Sequence, residues 1–316
     1  VYSPEQLSLT SSDFKFKSQH SRYQGKVRDV YDIGQLLIMI ATDRISAFDH
    51  ILPRPIPYKG QVLNQIAAFY LDSVKDICPV WYKNSPDPNV TIGYKCNPIP
   101  LEIVVRGYLA GHSWRLYAEG KPAICGVPFE KDLKQNQPFS EPIITPTTKA
   151  KSGHDEDISY ESILEKEIVS ESLLNRIYKT ALELFERGSQ MSDEKGLILV
   201  DTKYEFGLLN DELILMDEIH TPDSSRYFEK APYAEKLEKN EAQVQLSKEF
   251  VREWLMAHGF QGKEDQMIPE MSDGFVWMVS ERYIELYERI SGKGFQKPDP
   301  QIPIIERIRT NLSQFF

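Results

Sequence analysis

Residues 199–207 read Leu-Val-Asp-Thr-Lys-Tyr-Glu-Phe-Gly, and no other stretch restricts the fold as strongly. In a strand, alternate side chains share a face. Asp201, Lys203 and Glu205 then lie on one side, with Val200, Thr202, Tyr204 and Phe206 on the other. Three charges in a row are costly against an apolar core unless they are paired or hold a metal. A solvated strand face with ordinary ion pairs is the plainer alternative, and the strand by itself leaves both open. The next run, Leu213 to Glu218, brings Asp217 and Glu218. A two-residue turn at Asn210-Asp211 would set Asp217 opposite Tyr204, whereas a loop of three or five residues would set it opposite Glu205. The odd-length loop is expected, because Glu205 and Asp217 side by side suit Mg²⁺, which takes carboxylate oxygens together with substrate phosphates.

Other motifs carry weaker signals of the same kind. Tyr23-Gln24-Gly25-Lys26-Val27-Arg28 places a glycine before alternating cations at the start of a hairpin. Such a loop can lie over a nucleotide's phosphates, although it lacks the GxxxxGK[ST] pattern and also reads as a basic turn. Ala41-Thr42-Asp43-Arg44-Ile45-Ser46-Ala47-Phe48-Asp49 gathers polar groups at a strand end, either lining a site or capping a turn. Arg106, Gly107, Gly111, His112 and Ser113, and later Pro222-Asp223-Ser224-Ser225-Arg226, combine arginine forks with hydroxyls in the manner of anion sites. An arginine that staples a loop is the bland alternative for each. Thr145 to Lys149 and His154 to Asp157 add polar groups to which physics alone gives no role.

Composition excludes several classes. The formal net charge is -10 and no block of Lys or Arg stands out, so no nucleic-acid surface is expected, which leaves room for a local basic pocket. The three cysteines Cys78, Cys96 and Cys125 form no CxxC pair and read as reduced thiols. No apolar run approaches the roughly 18 residues of a membrane span. The N-terminal residues lack a signal-peptide layout, and a cytoplasmic location follows by elimination.

Along the chain, Val27 to Ile33 and Leu36 to Thr42 predict a hairpin, Gln61 to Lys75 an amphipathic helix, and Glu102 to Leu109 a strand. Asn84 to Asn89 and the Pro/Gly/Ser/Thr-rich 121–152 read as loop. Ile163 to Phe185 predict one or two long helices. Gly196 to Leu208 and Glu212 to Thr221 predict a second hairpin. A helical tail is expected from Glu241, with stops at Gly259 and Gly292. Strands first and helices later suggest an α+β fold.

Six motifs in order, GKVRDVY, ATDRISAFD, IPLEIVVRGYLAG, ITPTTKA with GHDEDIS, LVDTKYEFG and DEIHTPDSSR, cover about Gly25 to Phe228. Together they resemble the SAICAR synthetase family. The resemblance implies a two-lobed fold, a kinase-like N-terminal β lobe (1–106) and a larger ATP-grasp-like lobe (107–316). It implies an ATP- and Mg²⁺-dependent ligase that joins L-aspartate to carboxyaminoimidazole ribonucleotide (CAIR). By this resemblance Gly25, Lys26 and Arg28 approach ATP, while Glu205 and Asp217 hold Mg²⁺ with Asp201 and Lys203 beside them. Arg106, Gly111, His112, Ser225 and Arg226 match the region of the ribonucleotide 5′-phosphate. Asp43, Lys149 and Asp155 match positions near the imidazole and the reacting carboxylate, and Asp43 or Asp155 is a candidate proton acceptor. Where this chain has Gly111-His112, many relatives have Gly-Ser, so His112 is expected beside the phosphate. The partners implied are small molecules, with no nucleic acid and no membrane, and the chain is a monomer or a small homo-oligomer. A kinase is the first rival, but HRD, DFG and a VAIK lysine are missing. A non-catalytic binding module would not need Asp201, Lys203, Glu205 and Asp217 together.

Overall fold

The computed structural model describes residues 2–149 and 156–316. Strands β1 (Ser21–Gln24), β2 (Arg28–Asp32) and β3 (Leu36–Ala41) form an antiparallel meander. The β2–β3 turn holds Gly34 at φ +98°, a left-handed backbone that favours glycine. A short ribbon, β4 (Ser46–Ala47) and β5 (His50–Ile51), leads into helix α1 (Lys59–Ser73). Val62, Leu63, Ile66 and Tyr70 recur at the helical interval and form the buried face of α1. β6 (Tyr82–Asp87) and β7 (Val90–Tyr94) complete a five-stranded sheet in the order β1-β2-β3-β7-β6. Most of the expected loop 84–89 is thus strand and tight turn. Pro86 is tolerated because β6 is an outer strand, where a missing N–H leaves no ladder bond unmade.

β7 passes directly beneath Trp81. A Cβ added to Gly93 would lie 2.1 Å from the indole and 2.6 Å from the Trp81 carbonyl. Trp81 is 3% exposed, so neither can give way. Gly93→Ala therefore destabilises the protein by about 2–4 kcal/mol, read as a lower midpoint in urea unfolding.

The second sheet begins with β8 (Asn97–Tyr108). Next come α2 (Gly111–Ala118), a ribbon of β9 (Ala123–Ile124) and β10 (Val127–Pro128), and then β11 (Pro138–Thr148). The expected loop over 121–152 therefore contains an 11-residue strand. Its prolines hide it in the sequence, and they are accommodated because β11 is the outer strand of its sheet, next to β8. Helices α3 (Tyr160–Glu165) and α4 (Glu171–Asp193) start at serine caps, Ser159 and Ser170, whose hydroxyls accept first-turn amides. β12 (Leu197–Leu209), β13 (Glu212–Met216) and β14 (Ser225–Glu229) finish the sheet, in the order β11-β8-β12-β13 with β14 also on β12. The tail carries α5 (Lys230–Glu238), α6 (Glu249–Ala257), α7 (Asp273–Ser291) and α8 (Ile304–Asn311). Helix does not resume at Glu241 but at Glu249, because the segment between them is held against β14 by the bridge of Gln245 to Phe228. Gly259 (φ +83°) and Gly292 (φ +68°) end α6 and α7 as expected.

The main core lies between the second sheet, α4, α1 and α7. A separate core under the first sheet joins Phe14, Phe16, Tyr31 and Ile38 to Ile308 of α8 and to Leu312 just after it. The C-terminal helix thus returns to the N-terminal sheet, and Arg307 anchors it through Asp87 at 2.9 and 3.0 Å. The two sheets make a two-lobed mixed fold. The lobe boundary expected at residue 106 falls inside β8, which belongs wholly to the second sheet. No helix among the described residues is long and apolar enough to cross a membrane.

Candidate active site

The β12–β13 turn is the two-residue Asn210-Asp211, with φ +51° and +64°, the left-handed pair of a type I′ turn. Glu205 faces Met216, so Asp217 falls level with Tyr204, and the expected odd-length loop is not formed. Asp217 nevertheless reaches the Glu205 side by a different route. It leaves the ladder at φ +56°, a conformation aspartate tolerates better than most residues. The Trp81 indole N–H donates to its carbonyl at 2.8 Å and holds this bend. β12 holds a second surprise, a bulge between Leu199 and Asp201 that resets the alternation. Tyr204 and Phe206 therefore share a core with Leu197 and Leu199, while Val200 joins Ala110 and Phe228.

Cations surround the two carboxylates. Lys203 Nζ lies 2.6 Å from Glu205 Oε1 and 2.6 Å from Glu102 Oε1. Lys149 Nζ contacts Glu205 Oε2. Arg28 reaches Asp217 at 2.9 Å and Glu218 at 2.5 Å. Burial opposes ionisation of Glu205, but Lys203 and Lys149 outweigh it and hold the carboxyl at about 2. Asp217 moves the other way. Burial raises it, Glu205 and Glu218 add to the rise, and Arg28 only partly offsets them. Two oxygen donors that repel each other make a place for a divalent cation. Among the described residues no three metal-type side chains gather. A cation here would complete its shell with phosphate and water, as Mg²⁺ commonly does.

These groups close one end of a cleft of about 350 Å³. Tyr23, Gly25, Lys26, Val27 and Arg28 line it from the first sheet, with Leu37, Met39, Trp81, Pro98 and Met216 as an apolar wall. The sequence reading missed this wall. Its signal was present in β3, where Ile38 and Ile40 face the core and leave Leu37 and Met39 to the cleft. Lys26 pairs with Asp49 at the cleft mouth.

Toward the start of β12 the charges reverse in role. Asp201 is shared by Arg226 at 2.5 Å and Arg106 at 3.3 Å, so it sits with the arginines and away from the Glu205 cluster. Arg226 also pairs with Glu249 at 3.0 Å, and Arg106 Nε donates to Thr145 Oγ1 at 2.8 Å. Beside them a pocket of about 80 Å³ is lined by Ser224, Ser225, Arg226, Ser247, Lys248 and Arg252, among others. Ser225 Oγ is 2.7 Å from Thr202 Oγ1. Gly111, at φ +57°, allows this approach, since a Cβ there would meet the Arg226 guanidinium at 2.3 Å. Lys248 and Arg252 were missed. They stand at i and i+4 on α6 and its cap, on the face away from the apolar stripe that had been read. Burial pushes Lys248 down to about 8, with Asp223 pulling it up and Arg252 and Lys59 pressing it further down.

Asp43 does not join either group. It is fully buried, and its two oxygens accept the amides of Leu9 at 2.6 Å and Gly60 at 2.8 Å, so it caps α1. Burial raises it to about 7 against those two amides. Its expected place beside the reacting groups is thus corrected to a capping position. His112 stands at the start of α2 next to Gly111, with Nε2 2.7 Å from Asp157 Oδ2. Ser113 is buried and donates to the Ala110 carbonyl. Asp155 lies outside the described residues.

The SAICAR synthetase family model matches residues 21–267. The phosphoribosylaminoimidazole-succinocarboxamide synthase of Bacteroides fragilis is 57% identical over 98% of this chain and 98% of its own. That of Cytophaga hutchinsonii is 54% identical over 96% and 98%. Among solved structures, the SAICAR synthase from Saccharomyces cerevisiae complexed with SAICAR aligns with a TM-score of 0.77 and 32% identity, covering 92% of this chain and 99% of that one. A SAICAR synthetase in complex with ADP aligns at 0.66 and 25% identity, over 87% and 100%. The chain belongs to the SAICAR synthetase family, ligases of purine biosynthesis.

Proposed function

We propose that this chain joins CAIR to L-aspartate at the expense of ATP, through an acyl phosphate. The observation that carries the reading is the layout of β12. Its Glu205 end faces the cleft with Lys203, Lys149 and Asp217, and its Asp201 end sits among Arg106, Arg226 and the serine pocket. Four residues of strand separate the two ends by about 13 Å. One site takes a nucleotide triphosphate and the other a 5′-phosphate, with the reacting carboxylate between them. That relatives are solved with SAICAR and with ADP supports this division.

The chemistry needs these groups. A carboxylate resists amines because oxide or hydroxide would have to leave. A CAIR carboxylate oxygen attacks the γ-phosphorus and ADP departs. The aspartate nitrogen then attacks the acyl carbon, and inorganic phosphate departs with that oxygen. Lys149, Lys203 and Arg28 stabilise the charge that spreads during phosphoryl transfer. Bound Mg²⁺, held by Glu205 and Asp217, would supply further neutralisation across the phosphates. Arg106, Arg226 and Ser225 hold the 5′-phosphate, with Lys248 and Arg252 beside them. The amine proton does not go to Asp43, which is fully buried and lines neither compartment. Asp155 keeps that role in this proposal.

Omitting components one at a time tests the reading. ADP release should require ATP, Mg²⁺, CAIR and L-aspartate together. Release at full rate without aspartate would instead mark a kinase. The pH response is a second test. The Lys248 ammonium discharges as pH rises through about 8, so KM for CAIR should climb between about pH 7 and pH 9. Lys248→Met should show a higher KM with that limb flattened. A wild-type KM constant across the range would remove Lys248 from the phosphate site.

A further inference from the structure

The Ala41–Asp49 motif supplies no side chain to either compartment described above, apart from Asp49 at the cleft mouth. Its Arg44 is 7% exposed and lies beneath the Gly25–Arg28 loop. Nη2 donates to the Gly25 carbonyl at 2.9 Å and to Asp29 Oδ1 at 2.9 Å, and Nε donates to the Lys26 carbonyl at 3.1 Å. Nη1 donates to the Thr10 carbonyl. Thr42, two residues earlier, takes the next carbonyl. Its N–H and its hydroxyl both donate to Val27 O, at 3.0 and 2.8 Å. Three consecutive carbonyls are therefore held by two residues of one motif.

In a strand, successive carbonyls alternate in direction. Holding three in a row from beneath forces the loop out of that pattern. A trans peptide points its C=O and the following N–H in opposite directions. With the carbonyls of Gly25 and Lys26 on the guanidinium, the N–H groups of Lys26 and Val27 point away from it. Neither N–H donates to a described residue, whereas the N–H of Gly25 is used within the turn, on Arg28 O at 2.7 Å. Gly25, Lys26 and Val27 all line the cleft. Adjacent free N–H groups of this kind form an anion-binding concavity.

We infer that Arg44 is a positioning residue for the nucleotide's phosphates, which acts by turning the amides of Lys26 and Val27 into a phosphate cradle. This rests on the reading that the cleft takes a nucleotide, and it adds which backbone groups meet the phosphates and what orients them. A lysine at 44 keeps the charge opposite Asp29 but has no fork to hold two carbonyls at once.

The test compares ADP with adenosine, which enters the same cleft without phosphates. Binding to wild-type protein and to Arg44→Lys is measured by calorimetry. The variant should bind ADP about 10- to 100-fold more weakly, with adenosine affinity unchanged within about twofold. A merely structural role would weaken both ligands together, and that result would overturn the inference. So would an undiminished ADP affinity. Wild-type protein gives a second readout that does not depend on how the variant folds. In an amide nitrogen–proton NMR spectrum, the Lys26 and Val27 resonances should move with ADP and stay in place with adenosine. Unmoved resonances under saturating ADP would refute the cradle while leaving the nucleotide reading standing. Failure of wild-type protein to bind either ligand would bring down that reading as well.

Discussion

Replacing Asp217 with asparagine lowers kcat by about a thousandfold, or about 4 kcal/mol of transition-state stabilisation, and leaves the protein at least as stable as before. The two halves of this result come from one fact. Asp217 is buried near Glu205 and Glu218, and its carboxyl is pushed up by that burial and that repulsion. Asparagine has the same shape and can hold the left-handed φ of +56° that the bend requires. It removes one charge from a crowded acidic cluster, so the ligand-free protein loses repulsion. Arg28 keeps Glu218 at 2.5 Å. What disappears is one of two anionic oxygens for the cation. Mg²⁺ half-saturation should rise with the fall in kcat, while the thermal midpoint without ligand stays level or rises. A kcat within about threefold of wild type would show that Asp217 holds no essential metal.

The second large effect falls on the opposite end of β12. Arg226→Lys should raise KM for CAIR by about a hundredfold and lower stability by about 2–3 kcal/mol. The Arg226 guanidinium spans Asp201 at 2.5 Å and Glu249 at 3.0 Å, and both carboxylates are buried. Lysine can satisfy one of them, which leaves the other buried carboxylate without the shorter of its two ion pairs. Arg106 still reaches Asp201 at 3.3 Å and Arg252 still reaches Glu249 at 3.3 Å, so each carboxylate keeps one arginine. Glu249 is held at about 2, since Arg226 and Arg252 overcome the effect of its burial. Gly111→Ala should reproduce the KM effect from the other side, because its Cβ would strike the guanidinium. KM for ATP should stay within about twofold in both variants, since Arg226 does not line the nucleotide cleft. Equal rises in both KM values would mean that the two compartments are not separate.

The sequence made some of this arrangement readable and concealed the rest for physical reasons. The alternation around Asp201, Lys203 and Glu205 correctly marked a charged face, because a side-chain period of two follows from any strand. It could not show the bulge at Leu199/Asp201, since a bulge leaves no residue type behind as its signature. The register of Asp217 was misread for a related reason. Turn length fixes only which residues lie opposite each other in a ladder, and two side chains can also meet where one strand leaves the ladder. The chain instead uses a left-handed aspartate pinned by the Trp81 indole, a contact 136 residues apart in sequence. Asp43 shows the opposite error. A carboxylate in a polar motif looked chemical, but a helix start and an N-terminal amide from Leu9 claim both of its oxygens. Prolines hid β6 and β11, which are outer strands. Lys248 and Arg252 were hidden by attention to the apolar stripe of α6, although they line the serine pocket beside Arg226.

The central claim is that the substrate's carboxylate is phosphorylated before the amine attacks. It is tested most directly by following the oxygen. CAIR labelled with ¹⁸O in its carboxylate is turned over with ATP, Mg²⁺ and L-aspartate, and the released phosphate is examined by mass spectrometry. The account predicts one ¹⁸O in each inorganic phosphate. Phosphate free of label would contradict it, since the carboxylate oxygen would then have left by another route.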